Sequence, residues 1–135
     1  MYSDQYVQDL PQSNAIARHV ANVNGLLGSN PGEQARIDAV VETAYMDSLD
    51  KVFKVIFTAK DVKTKRAEAA EVVKVALANL ESVLKKNNDG TGFFVGNSVS
   101  YADLAVFNAV HNCLGLLNRG LQNLSVINHS YACFS

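Results

Sequence analysis

The chain has 135 residues, 48% hydrophobic and 19% charged, enough apolar material for one buried core and too much for a disordered chain. Its 12 basic and 13 acidic side chains leave a net charge of −1, which offers no field to a polyanion or an acidic membrane surface. Two cysteines, Cys113 and Cys133, stand far apart with no partners at metal-ligand spacing, which argues against a disulfide framework or a metal site and for a reducing compartment.

The N-terminus, Met1-Tyr-Ser-Asp-Gln, lacks the basic-then-apolar pattern of a signal peptide. Residues Gln5 to Leu10 read as a weak strand closed by Pro11, which removes a backbone donor and biases its predecessor toward extended geometry. Ser13 is placed to cap a helix in which Ile16, Val20 and Val23 line one face, with Gly25 as its stop. Asn30-Pro31-Gly32-Glu33 opens a second helix, with Asn30 as N-cap, Pro31 at the first helical position and Glu33 completing a capping box. Ile37, Val40, Val41, Ala44, Leu49, Val52, Phe53 and Ile56 then recur about one turn apart, predicting one long amphipathic helix.

A third helix spans about Lys63 to Lys86, with Val72, Val73, Ala76, Leu77, Leu80 and Leu84 inward and Lys85 and Lys86 favourably placed in its last turn. Lys60, Lys63, Lys65 and Arg66 cluster near its start, but Glu68 and Glu71 follow at once, so they read as a solvated helix start rather than a nucleic-acid patch. Asn87 to Gly92 is a turn by composition. Ser100-Tyr101-Ala102-Asp103 places a hydroxyl N-cap three residues before a carboxylate, flanked by Val99 and Leu104 in hydrophobic-staple positions. The run behind it, Leu104 to Leu114, is apolar nearly all round and predicts a central, buried helix. The uncharged stretch from Leu104 to Asn118 is too short to span a bilayer. After Arg119 the periodicity fails. Four helices joined by short loops predict a mostly α bundle, expected in the cytoplasm, with no membrane and no nucleic acid as partner.

Two segments together resemble the glutathione transferase family. Gln12-Ser13-Asn14-Ala15-Ile16-Ala17-Arg18-His19-Val20 is similar to the family's Gln-Ser-x-Ala-Ile-x-Arg run, and Phe93 to Leu104 to its Phe-x-x-Gly-x-x-x-Ser-x-Ala-Asp signature. Gly25-Leu26-Leu27-Gly28 and Glu33 to Asp38 also fall where the family places such residues. The wording is closest to the sigma class, with the pi class next, and the likeness covers about Leu10 to Asn118. It implies a glutathione-transferase C-terminal helical bundle over residues 28–120, preceded at 1–27 by a strand-and-helix remnant of the thioredoxin-like glutathione-binding domain. Residues 121–135 form an atypical tail. The implied activity of the full-length form is conjugation of glutathione thiolate to hydrophobic electrophiles by a homodimer, with glutathione as co-substrate and no cofactor.

The resemblance also implies roles for individual residues. Gln12 and Ser13 would hold the γ-glutamyl carboxylate of glutathione, since a helix start offers free N–H groups and the positive dipole end; the alternative is that Ser13 only caps its own helix. An acidic residue reaching across the dimer to the partner's glutathione has Asp47 as its nearest candidate. Asp47 stands a residue or two beyond the usual position, which Tyr45 and Met46 occupy, so a solvated helix-face Asp is the competing reading. Tyr45, Met46 and Leu49 would line the pocket for the hydrophobic substrate, or else belong to the core. Arg18 resembles a dimer-interface arginine, against an ordinary exposed helix residue. Ser100 and Asp103 are a structural cap.

The family's activating tyrosine has no counterpart, because Tyr2 and Tyr6 lie too close to Ser13, and none of His19, His111 and His129 replaces it. The nucleophile is a thiolate that needs such a donor, so the chain alone is expected to be inactive. A partial product of this kind is expected to be marginally stable or to self-associate. The competing readings are a non-enzymatic relative, either an S-crystallin-like structural protein or a helical assembly module, and a helical interaction protein with chance motifs.

Overall fold

Helix α1 (Ser13–Val23) opens the computed structural model, which describes residues 10–58 and 61–118. It ends as Gly25 predicts. Gly25 adopts φ +70°, its N–H donates to the Asn22 carbonyl at 3.1 Å, and Leu26 N–H donates to the Ala21 carbonyl at 2.8 Å. These two bonds close a Schellman motif that reverses the chain toward α2. The strand expected at Gln5 to Leu10 lies outside the described residues except for Leu10, which belongs to no regular element. The atypical tail, with His129 and Cys133, also lies outside them.

The long second helix is present, in three parts that run without a break: α2 (Pro31–Glu42), a π-helical segment (Thr43–Leu49) and α3 (Asp50–Thr58). Asn30 Oδ1 accepts from Glu33 N–H at 3.0 Å, as the capping box requires. The return contact goes one residue further back, with Ser29 N–H donating to Glu33 Oε2 at 2.7 Å. Helix α4 (Val62–Lys85) starts at Asp61, whose carboxylate accepts from Thr64 N–H at 2.9 Å and Thr64 hydroxyl at 2.6 Å. A 3₁₀ turn (Asn88–Gly90) follows, and α5 (Tyr101–Asn118) completes four helical rods. Asn87 Nδ2 ties the intervening loop down by donating to the Phe93 and Gly96 carbonyls, each at 2.8 Å. The described residues hold no strand, and the expected mostly α bundle is what they form.

Two apolar clusters make the core. One joins Ile37, Val40 and Val41 of α2 with Leu80 of α4 and Ala102, Ala105, Val106 and Ala109 of α5. The second joins Val52 and Ile56 of α3 with Ala69 and Val73 of α4 and Cys113 of α5. Each fully buried Ile or Val contributes about 1.5–3 kcal/mol relative to an exposed one.

Two packing expectations, on α4 and α5, are corrected. On α1 the Ile16–Val20–Val23 stripe faces solvent, and the buried residue is Ala21. On α4 the seam runs through Ala69, Val73, Ala76 and Leu80, which leaves Leu77 outside it and exposed. On α5 the small residues bury one face, while Leu104, Phe107 and Leu114 are exposed, Phe107 at 72%. Apolarity all round therefore marks one buried face here rather than a helix enclosed on every side. Val99 and Leu104, the staple positions, are both about half exposed, at 46% and 48%.

Candidate functional site

The start of α1 has an unusual backbone. Gln12 occupies its N-cap position at φ 74° and ψ 120°, a region that costs a non-glycine residue about 1–3 kcal/mol and concentrates at ligand sites. Neither Gln12 nor any other side chain caps the helix, and its first turn contains no acidic residue. Ser13 is the first helical residue, so the expectation that it caps α1 is corrected. With Gln12 at the cap position, no side chain among the described residues caps the first amides of α1.

That start forms one wall of an open cleft of about 520 Å³. From α1 the cleft receives Ser13, Asn14 and Ala17; from the second rod Tyr45, Met46, Leu49, Asp50 and Phe53; from α5 Asn108 and Asn112. Its floor is apolar and its rim is built of hydroxyls and amides. Asn108 Nδ2 donates to the Tyr45 hydroxyl at 3.3 Å, and Asn112 Nδ2 donates to the Asn108 side-chain oxygen at 3.1 Å and to its carbonyl at 2.9 Å. The two amides therefore hold the tyrosine ring from across the cleft. No His, Lys or Arg is among the residues that line it. Asp50 is the one charged residue that lines it, and a largely apolar cleft with an anion-accepting helix start suits a ligand that is anionic at one end and apolar at the other.

Four residues singled out by sequence meet here: Ser13, Tyr45, Met46 and Leu49. Their part of the second rod is the π segment, where Asp50 N–H donates to the Tyr45 carbonyl five residues back. Short π segments recur at functional sites. Asp47 is not among the lining residues; its carboxylate pairs with Lys51 Nζ at 2.8 Å on the exposed face, the solvated reading. Arg18 makes a two-pronged contact within the chain, Nε to Asp38 Oδ1 at 2.8 Å and an Nη to Oδ2 at 2.9 Å, which fastens α1 to α2. The hydrogen-bonded Asp38 carboxylate raises the Arg18 pKa above its ordinary value.

Asp103 locks the start of α5. Its Oδ2 accepts from Ser100 N–H at 2.8 Å and Ser100 hydroxyl at 2.9 Å, and its Oδ1 from Phe94 N–H at 2.9 Å. The Ser100 hydroxyl donates to the carboxylate and does not cap an amide, so Asp103 carries the lock alone. Next to it, Tyr101 N–H donates to the Leu26 carbonyl at 2.9 Å, joining the turn after α1 to α5. The Tyr101 hydroxyl is buried near Tyr45, Asp38 and Glu42; desolvation first, then those neighbours, raise its pKa. Among the described residues no group of His, Cys, Asp or Glu side chains could hold a metal ion.

Asn14, Asp50, Asn108 and Asn112 were not assigned to a site by sequence, and Phe53 was read only as an apolar position of the long helix. Asn108 and Asn112 did leave a signal: two amides one turn apart on an otherwise apolar helix.

Residues 46–129 match the family model for "Glutathione S-transferase, C-terminal domain", more than half of the chain. The chain belongs to the glutathione S-transferase family. It is 34% identical over 107 residues to glutathione S-transferase P 1 of Bufo bufo, an alignment covering 79% of this chain and 50% of that protein. It is 32% identical over 116 residues to S-crystallin 4 of Enteroctopus dofleini, covering 78% of this chain and 54% of that protein. With glutathione S-transferase 3 of Caenorhabditis elegans the identity is 29% over 119 residues, covering 84% and 55%. The chain thus spans about half the length of these relatives. The transferase-family match begins inside the π segment and takes in the Ser100–Asp103 lock. No described helix of this transferase-family chain is long and apolar enough to cross a membrane.

Proposed function

We propose that this chain carries the electrophile-binding half of a sigma-like glutathione S-transferase. The cleft between α1, the π segment and α5 receives the hydrophobic electrophile, and Gln12 and Ser13 receive the γ-glutamyl carboxylate of glutathione. The uncapped, acid-free start of α1 opening onto an apolar cleft is the observation that carries this reading. The first amides of α1 meet the carboxylate, while Met46, Leu49 and Phe53 exclude water from the apolar partner. Residues 1–27 are then the end of the glutathione-binding domain and 28–120 the helical domain of a cytoplasmic homodimer. Arg18, already fixed by Asp38, lies at the subunit boundary.

Conjugation needs a donor beside the glutathione sulfur, and none of the described groups fits. The Tyr101 hydroxyl and the Cys113 thiol are buried, and the Tyr45 hydroxyl, which accepts from Asn108 and keeps its own proton, belongs to the lining assigned here to the electrophile. The chain by itself is therefore proposed to bind without turning over. Titration with S-hexylglutathione, followed by amide and methyl NMR, is expected to shift Ser13, Asn14 and Met46 together and saturably. Shifts confined to other surfaces would refute the site. Turnover of chlorodinitrobenzene by the isolated chain above the uncatalysed background would overturn the inactivity.

The likeness to S-crystallin 4 supports a second reading, a non-enzymatic relative that keeps the fold. In that case the S-hexylglutathione titration leaves the start of α1 unmoved.

A further inference from the structure

The hydrogen bonds on the α5 side of the cleft run in one direction. Asn112 Nδ2 donates to the Asn108 carbonyl at 2.9 Å, and a backbone carbonyl can only accept, so this end of the relay is fixed. The same nitrogen donates to Asn108 Oδ1 at 3.1 Å, which turns the Asn108 NH₂ the other way, toward Tyr45. The Tyr45 hydroxyl must therefore accept, at 3.3 Å, and its own proton points away from the relay. Among the described residues no acceptor takes that proton. Tyr45 lines the cleft, so the proton is free for a ligand there.

We propose that Tyr45 is a specificity-determining donor toward the electrophile, and that Asn108 and Asn112 are positioning residues that turn its proton into the cleft. The cleft then prefers an apolar body that carries a neutral hydrogen-bond acceptor, such as a ketone oxygen. Met46, Leu49 and Phe53 supply the apolar contact, and the Asp50 carboxylate in the same lining opposes a second anionic group on the ligand. Without an acceptor on the ligand, seating an apolar group against Tyr45 strips water from the hydroxyl and leaves its proton unpaired, which works against that ligand. Such selectivity rests on the assignment of this cleft to the electrophile.

NMR titration of the intact chain with S-(p-acetylbenzyl)glutathione and the shape-matched S-(p-isopropylbenzyl)glutathione tests it. Both conjugates are expected to shift Ser13 and Met46 saturably. Tyr45→Phe should lower the ratio of acetyl to isopropyl affinity about fivefold, the worth of one hydrogen bond. Asn108→Asp keeps Tyr45 but offers it a carboxylate that accepts its proton, so the ratio falls there too. The acetyl carbonyl stretch should lie lower in frequency in the complex with the unchanged chain than in either variant complex. An unchanged ratio in Tyr45→Phe, or a ratio and carbonyl frequency unmoved by Asn108→Asp, would overturn the proposal and leave the cleft assignment standing. Absence of any shift at Ser13 with both conjugates would overturn the two together. Asn108 is exposed, so Asn108→Asp decides if Tyr45→Phe does not fold.

Discussion

Replacing Asp103 by Ala removes the single acceptor of three donors: Phe94 N–H, Ser100 N–H and the Ser100 hydroxyl. The hydroxyl can turn to another acceptor; the two amides cannot. Ser100 is only 4% exposed, so its amide has little water to fall back on. Losing a helix-start cap costs about 1 kcal/mol. Each of the two part-buried amides left unpaired adds about 1–3 kcal/mol, so Asp103→Ala should cost about 3–7 kcal/mol. That is a large share of the roughly 5–15 kcal/mol that holds a domain together. Asp103→Asn separates charge from shape. Its remaining oxygen serves one side, but its NH₂ then faces a donor on the other, so about half the loss is expected. The chain has no tryptophan, so urea unfolding is best followed by circular dichroism at the helical band. A midpoint shift with an unchanged slope reports the stability change. A loss below about 1 kcal/mol for Asp103→Ala, or an Asn variant as poor as the Ala variant, would refute the account of three donors on one carboxylate.

Three further outcomes are expected. Gly28→Ala puts a Cβ 2.7 Å from Glu33 Cβ at φ +81°, whereas Gly25→Ala at φ +70° meets nothing within 4 Å. Both should destabilise, Gly25→Ala by about 1 kcal/mol from backbone strain alone and Gly28→Ala by clearly more; equal thermal shifts would show that Glu33 yields freely. In a Cys133→Ser background Cys113, 2% exposed and with its pKa pushed up to about 11 by burial, should stay unreactive to a disulfide reagent at neutral pH until the protein unfolds. Fast stoichiometric labelling of the native chain would contradict that burial. The Asp61 carboxylate is lowered below its ordinary 3.8 by its hydrogen bonds to the Thr64 hydroxyl and amide. Its contribution to α4 is therefore full above that value and lost as pH falls through the lowered one, so Asp61→Asn should flatten the acid limb of the helicity curve. An identical acid limb in the variant would show that the cap does not titrate with folding.

The parts of the fold legible in sequence are those decided within a few residues. Asn30 with Glu33, Ser100 with Asp103, and Gly25 after α1 are local hydrogen-bond patterns, and the structure contains each of them with small changes of partner. Periodicity says that α1 is amphipathic, but not which face finds a partner. Ala17 and Ala21 meet the bundle, while Ile16, Val20 and Val23 remain exposed. Small residues win that contact because they let α1 approach closely, and the Arg18–Asp38 fork then fixes its rotation. Gln12 was legible as half of the Gln-Ser pair, but its positive φ was not, because no side-chain pattern encodes it.

The π segment accounts for the places of Tyr45, Met46 and Leu49 at the cleft and of Asp47 away from it. Along the second rod the buried positions Ala44, Ser48, Val52 and Ile56 keep a strict spacing of four. In an unbroken α-helix each such step turns about 40° past the last, so three steps would carry the final residue about 120° away from the core. Widening one stretch to the five-residue bond seen at Asp50 and Tyr45 absorbs that drift and keeps all four on the inner face. The same register sets Tyr45, Leu49 and Phe53, again four apart, along the cleft. It sends the stripe through Asp47 and Lys51 to the solvent face, where the two close an ion pair. Burial of Val52 and Ile56 is worth several times an exposed ion pair, so the hydrophobic seam sets the register, with Asp50 at the cleft and Asp47 on the solvent face.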